Sequence, residues 1–422
     1  MIPDHRSSAR RLFVVSERLP RADESAGSRR LLAILTLLAA EADVALWVER
    51  DETTGRGALS AERVALARAR LAAAGVRVLP AGWRSFTEAL AGPAYAVALF
   101  EFHAMAARYA AFVRERQPSA RVIVDSVDLH WARLASGAAL GAESARRARR
   151  MRRVELATYR DADAVLVAST DDGLALSREA GMPAVSCVPI VAPIRPRAPM
   201  PRGRELSFVG HFDHAPNVDG LRWFVHAIWP RVLARHPGAH LSVAGTRVSD
   251  EVRGLASRPG VRLLGHVPDT APLLDRAWLS IAPLRYGAGM KGKVVEAMAS
   301  AVPVVTTPVG AQGLPAVSGE HLLVSEDPSS FADAAASLLD DPERSARIGL
   351  AGQRLVAAIC APEVVAPRLR RLIDEVTAAP PDAARAARTS GVAAWLRRWR
   401  SSGRHAAVTE LRRQARWLAR RA

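Results

Sequence analysis

Only two lysines occur in this chain of 422 residues, Lys291 and Lys293, although lysine and arginine together number 59. They fall two positions apart in the stretch Arg285-Tyr286-Gly287-Ala288-Gly289-Met290-Lys291-Gly292-Lys293, which leads into Val294-Val295-Glu296-Ala297-Met298. Residues of these types at this spacing suit anion binding. Glycines let backbone amides come close to a ligand. A helix N terminus offers unpaired N–H groups and partial positive charge to a phosphate, and Arg285, Lys291 and Lys293 add full charges. The pattern predicts a diphosphate cradle. Glu296, one helical turn after Lys293, is placed to accept two ribose hydroxyls; a favourable charge near a helix N terminus is the plainer account of it. Gly287, Gly289 and Gly292 also fit the G-x-G-x-x-G spacing. They lie late in their half of the chain, and no acidic residue follows about 20 positions on, so a dinucleotide site is disfavoured.

A loop of this kind needs a strand before it and a helix after it. The apolar run Leu279–Pro283 supplies the strand, and 293–299 reads as the helix. Around it, strand-like runs at Leu206–Val209, Leu241–Ala244, Val261–Leu264, Val304–Thr306 and Leu322–Val324 alternate with helical patterns near 218–234 and 329–339. The first half does the same, with strands at Leu12–Ser16, Val44–Val48, Val76–Leu79, Ala96–Phe100, Val122–Asp125, Val165–Ala168 and Val185–Val188. Helices fall near 28–40, 61–73 and 104–116. Continuously apolar strands alternating with helices imply parallel sheets covered on both faces.

The chain is too long for one ordinary core. Prolines at 189, 193, 196, 199 and 201 mark an extended linker. The expected fold class is therefore α/β: a doubly wound domain over 1–190, a linker over 191–203, a second doubly wound domain over 204–380 whose last helices cross back, and a basic tail over 381–422. Such a pair places a cleft between the carboxyl ends of the two sheets.

The second half carries a recognisable series of motifs. Ser207-Phe208-Val209-Gly210 is followed by Pro216-Asn217-Val218-Asp219, Trp223-Phe224, Val243-Ala244-Gly245 and Gly265-His266-Val267-Pro268. Then come Pro283-Leu284-Arg285, the loop above, and Pro303-Val304-Val305-Thr306-Thr307-x-Val309-Gly310. This order resembles the retaining glycosyltransferases of family four, strongly over about 205–375 and more weakly in the first half. The resemblance implies the GT-B fold: two Rossmann-like domains facing a central cleft, the second holding a nucleotide-diphosphate sugar and the first the acceptor. By it, Gly289, Met290 and Lys291 would meet the phosphates, Glu296 the ribose, and the backbone near Val267 the base. Gly210 would line the donor site. Two departures stand out. Ala288 replaces a glutamate many members carry eight residues before Glu296, and His211 and Asn217 stand where many carry a basic pair. With that pair missing, Arg285, Lys291 and Lys293 are expected to neutralise the phosphates.

In the first half, Asp23-Glu24-Ser25-Ala26-Gly27-Ser28-Arg29 follows the first strand. It resembles the family's glycine-bearing loop, with Gly27 near the donor phosphate; a capped helix start accounts for the serines alone. Asp125-Ser126-Val127-Asp128-Leu129-His130 follows the fifth strand. It resembles a segment of envelope-polysaccharide glycosyltransferases, in which Asp128 and His130 would contact acceptor or sugar hydroxyls. Glu101 and His103, at the end of the preceding strand, are expected to face the same opening as acceptor candidates. Asp161-Ala162-Asp163 has the Asp-x-Asp form of metal-dependent transferases but reads as the polar end of a helix. No metal and no cofactor beyond the donor is expected, because no His, Asp and Glu cluster is visible.

The net charge of +17 suggests an anionic partner. One dense source is Arg146, Arg147, Arg149, Arg150, Arg152 and Arg153. The tail from Asp382 adds eleven arginines against Asp382 and Glu410, over half the net charge, with Trp395, Leu396 and Trp399 on one helical face. A basic amphipathic tail of this kind suits an anionic membrane surface as well as it suits solvent. No nucleic-acid module is visible. Cys187 and Cys360 are too few and too far apart for a disulfide scaffold, and a reducing cytoplasm is the default. No apolar run has the length of a membrane span, and no signal peptide is read at the N terminus. The expected protein is a cytoplasmic glycosyltransferase acting on a glycan or lipid-linked acceptor in cell-envelope polysaccharide synthesis, peripheral on the inner membrane face. A non-catalytic scaffold on the same fold and a nicotinamide-dependent enzyme are the alternatives.

Overall fold

The computed structural model describes residues 10–54, 59–196 and 203–380. The basic tail at 381–422, and with it the stripe of Trp395 and Trp399, lies outside the described residues. Seven strands form the first sheet: β1 (Arg11–Ser16), β2 (Asp43–Val48), β3 (Val76–Val78), β4 (Val97–Glu101), β5 (Arg121–Asp125), β6 (Ala164–Val167) and β7 (Ala184–Cys187). Their order is β3-β2-β1-β4-β5-β6-β7, and the paired strands are parallel. Around them run α1 (Ala26–Ala39), α2 (Ala61–Ala73), α3 (Trp83–Ala91), α4 (Phe102–Arg116), α5 (His130–Ala139), α6 (Ala145–Arg160) and α7 (Thr170–Ser177).

The second sheet holds β8 (Glu205–His211), β9 (His240–Thr246), β10 (Val261–Gly265), β11 (Leu279–Ala282), β12 (Val304–Thr306) and β13 (Leu323–Val324), in the order β10-β9-β8-β11-β12-β13 and again parallel. Its helices are α8 (Ala215–Trp223), α9 (Trp229–Arg235), α10 (Asp250–Leu255), α11 (Ala271–Arg276), α12 (Gly292–Ala299), α13 (Pro308–Ala311), α14 (Pro328–Asp340), α15 (Pro342–Cys360) and α16 (Pro362–Ala378).

The strands are apolar on both faces because helices cover both. Phe13, Val15, Ala45, Ala98 and Val124 face one layer, and Leu12, Val14, Leu46, Leu99 and Ile123 face the other. The second layer also takes in Val365, Leu369, Leu372 and Ile373, so α16 packs on the first domain although it follows the second in sequence. Arg370 pairs there with Glu41 and Arg10 with Asp374. The stretch Pro342–Ala378 reaches a mean hydropathy of 1.4 over its most apolar window. Its apolar residues Val356, Cys360, Val365 and Leu369 are buried in the protein.

The segment expected as an extended linker has no regular structure over 189–196, yet it is packed. Ile190, Val191 and Ala192 are buried, Ala192 N–H donates to Cys360 O at 2.9 Å, and Arg195 N–H to Ala299 O at 3.1 Å. In each sheet the strand order reverses between its first strand and the fourth, β1 and β4 in one and β8 and β11 in the other. Ligands of open parallel sheets bind in the crevice outside the carboxyl ends at such a reversal. Here the two crevices face each other.

Candidate functional site

Between the domains lies a cleft of about 760 Å³. The first domain lines it with the loop and helix start after β1 (Asp23, Ser25, Gly27, Arg29) and the loop after β5 (Val127, Asp128, His130, Arg133). The second supplies Gly210, His211 and His214 after β8, His266 and Val267 after β10, and Tyr286 to Ala288, Met290 to Lys293 and Glu296 after β11.

Two helix N termini, one from each domain, meet at this cleft. Ser25 caps α1, accepting the Ser28 N–H at 3.1 Å. Lys291 occupies the cap position of α12, where no side chain satisfies the first amides. The helices approach so closely that a Cβ on Gly292 would lie 2.4 Å from Ala26 Cβ, so only glycine fits there. Unpaired amides and partial positive charge at both ends favour an anion between them. The two lysines add to this. Lys291 Nζ donates to the Ala288 carbonyl at 2.9 Å and also to that of Gly289, holding its own loop in shape. Lys293 Nζ donates to Asn217 Oδ1 at 2.7 Å and lies 4.2 Å from the centroid of the Phe208 ring. Burial lowers Lys291 to about 8. Burial, with the charge of Lys291 next, lowers Lys293 to about 7. Neither lysine has a carboxylate within ion-pair distance among the described residues.

Glu296 faces the cleft from α12. It pairs across the domains with Arg29 and accepts from Thr270 Oγ1 at 3.3 Å. Burial pushes its carboxyl up, against the pull of Arg29 and Thr270. His266 Nε2, 2.8 Å from Asp23 Oδ2, makes a second polar bridge between the domains. Gly210, Val267 and Met290 line the cleft as well.

Gly289 does not line it. Its φ of +69° requires glycine, and a Cβ there would lie 3.0 Å from Asp128 Cβ, so it forms the contact between the loop and the first domain. Arg285 corrects the sequence reading. Its Nε donates to Asp219 Oδ2 at 2.8 Å and its NH2 group bonds Oδ1, a bidentate pair that turns the guanidinium off the cleft lining. The positive charge that this loop turns to the cleft is that of the two lysines and the helix end.

On the opposite wall, His130 Nε2 lies 3.2 Å from Asp128 Oδ1, and Arg133 Nε donates to Asp128 Oδ2 at 3.1 Å. Burial works against the Asp128 charge, but His130 and then Arg133 outweigh it and hold the carboxyl well below the usual range. Burial would lower His130; the hydrogen bond and charge of Asp128, then the charge of Glu155, raise it instead. The backbone is strained at both strand ends facing this wall. Phe102 (φ 64°) and Val127 (φ 56°) adopt a left-handed conformation that bulky and β-branched side chains rarely take. Both line the cleft, and strain of this kind collects at functional sites.

Glu101 and His103 are the second correction, since neither lines the cleft. Glu101 turns to the neighbouring strand end, where Ser16 Oγ lies 2.5 Å from Oε2, and burial pushes its carboxyl up to about 8. His103 is not at a strand end: the turn at Phe102 starts α4, and the ring goes into the core with Nδ1 3.2 Å from Glu155 Oε1.

Glu155, fully buried on α6, is the main residue that sequence reasoning misses. Its Oε1 accepts the His130 N–H at 3.1 Å and the Tyr159 hydroxyl at 3.2 Å, and its Oε2 accepts the Trp131 N–H at 2.7 Å. It thus caps α5, whose own cap residue, Leu129, has no acceptor side chain. The available signal was a lone acid among the arginines of 145–160. His103, His130 and Glu155 also form a group whose donor atoms lie within 4.8 Å of one another, a cluster the sequence reading does not foresee. The Glu155 oxygens are already engaged by amides and a hydroxyl, so the group reads as a support for His130. His214, lowered to about 4 by burial and then by Arg133, is another cleft residue the motifs do not mark. Asp163, of the Asp-x-Asp stretch, pairs with Arg114 and accepts the Val122 N–H at 2.7 Å, a structural role.

Residues 203–341 match the family model of glycosyl transferases group 1. A glycogen synthase of Mycobacterium tuberculosis is 30% identical over 177 residues, 39% of this chain and 41% of its own length. An uncharacterized 44.6 kDa protein in the cps region of Klebsiella pneumoniae is 29% identical over 133 residues, 30% of this chain and 34% of its own. The chain thus spans between a third and just over two fifths of these curated relatives. Among solved structures, sucrose-phosphate synthase from Thermosynechococcus elongatus superposes with a TM-score of 0.68 at 18% identity, covering 88% of this chain and all of that one. HepE of Anabaena, in complex with UDP-glucose, gives 0.66 at 13% identity over 86% of this chain and 99% of that one. The fold is GT-B.

Proposed function

We propose that this protein transfers a sugar from a nucleotide diphosphate to a glycan or lipid-linked glycan, with retention of anomeric configuration, in cell-envelope polysaccharide synthesis. The observation that carries the reading is the cationic end of the cleft, where two helix N termini and two half-buried lysines without a carboxylate partner converge across from Asp128 and His130. A diphosphate supplies the counter-charge that this end lacks. Amides and lysines already in place would stabilise the charge that develops on a departing nucleoside diphosphate, without reorganising at the moment of reaction. Glu296, freed from Arg29, would take the ribose hydroxyls, and the backbone at Val267 would meet the base. Asp128 and His130 would orient acceptor or sugar hydroxyls. With His130 held by Asp128, the wall offers hydrogen bonds rather than a strong free base.

The resemblance of the loop motifs supports retention, and the cps-region relative supports a polysaccharide role. HepE, solved with UDP-glucose, puts uridine diphosphate first among the nucleotides to try. Cys187 and Cys360 are both free, in keeping with a cytoplasmic enzyme.

The test is thermal-shift binding of uridine, guanosine, adenosine and thymidine diphosphates and NAD, on wild type and on a Lys291→Ala, Lys293→Ala double variant. A ligand at roughly 100 times its Kd adds about 2.7 kcal/mol of stability. One nucleoside diphosphate should stabilise wild type and leave the variant unmoved. Stabilisation by none of them, or by NAD alone, removes the reading. Binding without turnover of any nucleotide sugar would favour a scaffold on the same fold.

A further inference from the structure

Helix α6 presents its arginines in an ordered way. Arg146, Arg149, Arg150 and Arg153 recur at i, i+3, i+4 and i+7, which sets them on one face of the helix. All four are exposed. The face opposite is the buried one, with Ala148, Glu155, Leu156 and Tyr159. Arg147 and Arg152 flank the stripe and are spoken for: Arg147 pairs with Glu143 at 3.2 Å, and Arg152 pairs with Glu179 and lies over the Trp131 ring. The four in the stripe have no carboxylate within ion-pair distance among the described residues. Neutralisation has therefore been applied to the flanks and withheld from the centre, leaving a line of four like charges about 10 Å long.

We propose that this face of α6 docks the protein on an anionic phospholipid surface. A convex helix carrying cations in a line gives no cradle for a single phosphate, but it matches a plane of anionic head groups. The stripe has no large apolar side chain, only the methyl of Ala157 where it continues, so the contact is electrostatic and does not insert. Its position is informative too. Just ahead of α6, Glu143 packs on Gly137, whose Cβ position lies 3.0 Å from Tyr286 of the cleft lining, so one end of the stripe starts at the cleft lip. Beyond the C terminus of α6, Asp163 accepts the Val122 N–H, and the adjacent Arg121 bonds the carbonyl of Ala379, just after α16. The sequence after that point carries the nine surplus charges of 382–422. Docking through α6 would hold the cleft mouth beside the bilayer. The proposal does not depend on which reaction the cleft performs.

The experiment is sedimentation of the full-length protein with vesicles of pure phosphatidylcholine and of phosphatidylcholine mixed with phosphatidylglycerol. Each basic residue near an anionic surface is worth roughly fivefold in binding. An R146Q/R149Q/R150Q/R153Q variant is expected to lose at least about tenfold in affinity for the anionic vesicles, with its melting temperature and nucleotide binding unchanged. A control removing the same charge from the second domain, R231Q/R258Q/R262Q/R276Q, is expected to stay within about twofold of wild type. Wild-type binding should fall steeply with salt. Equal losses in the two variants, or no loss in the first, would overturn the proposal by assigning binding to net charge or to the tail. Binding to heparin or nucleic acid with none to anionic vesicles would overturn it in favour of a soluble polyanion.

Discussion

On the second-domain wall of the cleft, Met290, Lys291, Lys293 and Glu296 lie within seven consecutive residues, carried by one loop and the helix it opens. On the first-domain wall, Asp128 and His130 depend on Glu155 of α6, with His103 of α4 packed edge-on to the His130 ring at 5.1 Å. The second-domain wall is a local motif whose two lysines donate to carbonyl and amide oxygens and have no carboxylate within ion-pair distance among the described residues. The first-domain wall is a tertiary construction whose Asp, His and Arg are paired with one another. The difference is chemical as well as topological. A wall of uncompensated cations is ready to take up an anion, whereas a wall of matched Asp, His and Arg is ready to hold neutral hydroxyls in place.

The largest effect that bears on this contrast is expected from Glu155. Glu155→Ala leaves two half-buried amides at the start of α5 without acceptors, which costs about 2–4 kcal/mol of stability. The milder Glu155→Gln keeps one acceptor oxygen and removes the charge. It is expected to bring the His130 titration down from its raised value, read as the ring-carbon chemical shift by NMR. His130 has a folded pKa above its ordinary 6.5. Its stabilising contribution is therefore complete below that value and is lost as pH rises through the raised one. In Glu155→Gln this loss should begin at lower pH. A His130 midpoint that does not move would reduce Glu155 to a helix cap.

The opposite wall responds to pH in another way. Lys293, lowered to about 7, and Lys291, lowered to about 8, are partly neutral near pH 8 in the free protein. A bound diphosphate favours their charged forms, so binding takes up protons, and affinity declines as pH rises through these values. Calorimetry at pH 8 in buffers of differing ionisation enthalpy should report uptake of about one proton per nucleotide. The Lys291→Ala, Lys293→Ala variant should show none. Affinity independent of pH in wild type would mean that the phosphates lie elsewhere.

The contrast also explains what the sequence made legible. Strand and helix alternation gave both sheets because each strand is buried on two faces and stays apolar throughout, and the reversal of strand order follows from that class of fold. The loop at 285–296 could be read as a basic, glycine-bearing turn into a helix because those residues are consecutive. The pairing of Arg285 was not legible, since Asp219, its partner, is far away in sequence and looks like any helix acid. Glu101 and His103 lie off the cleft lining because the left-handed turn at Phe102 ends the strand between them, and nothing in a continuously apolar run marks a left-handed phenylalanine. Glu155 was visible as an oddity, but its role required knowing that α6 lies beside the start of α5.

Arg285 gives the smallest expected effect and the sharpest discrimination. If all three cations of the loop neutralise the diphosphate, Arg285→Ala should weaken nucleotide binding as severely as loss of a lysine. In the structure the guanidinium is committed to Asp219, which also receives Arg222 at 3.0 Å. Removing Arg285 leaves a largely buried carboxylate with one remaining partner, and the cost falls on the fold, about 1–3 kcal/mol. Nucleotide affinity is expected to stay within about twofold of wild type, a change far smaller than a lost charge-assisted hydrogen bond would cause. Isothermal titration beside a denaturant melt separates the two. Stability lost with affinity kept places Arg285 behind the wall, whereas affinity lost with stability kept would return it to the phosphates and show that the Asp219 pair opens when the donor binds.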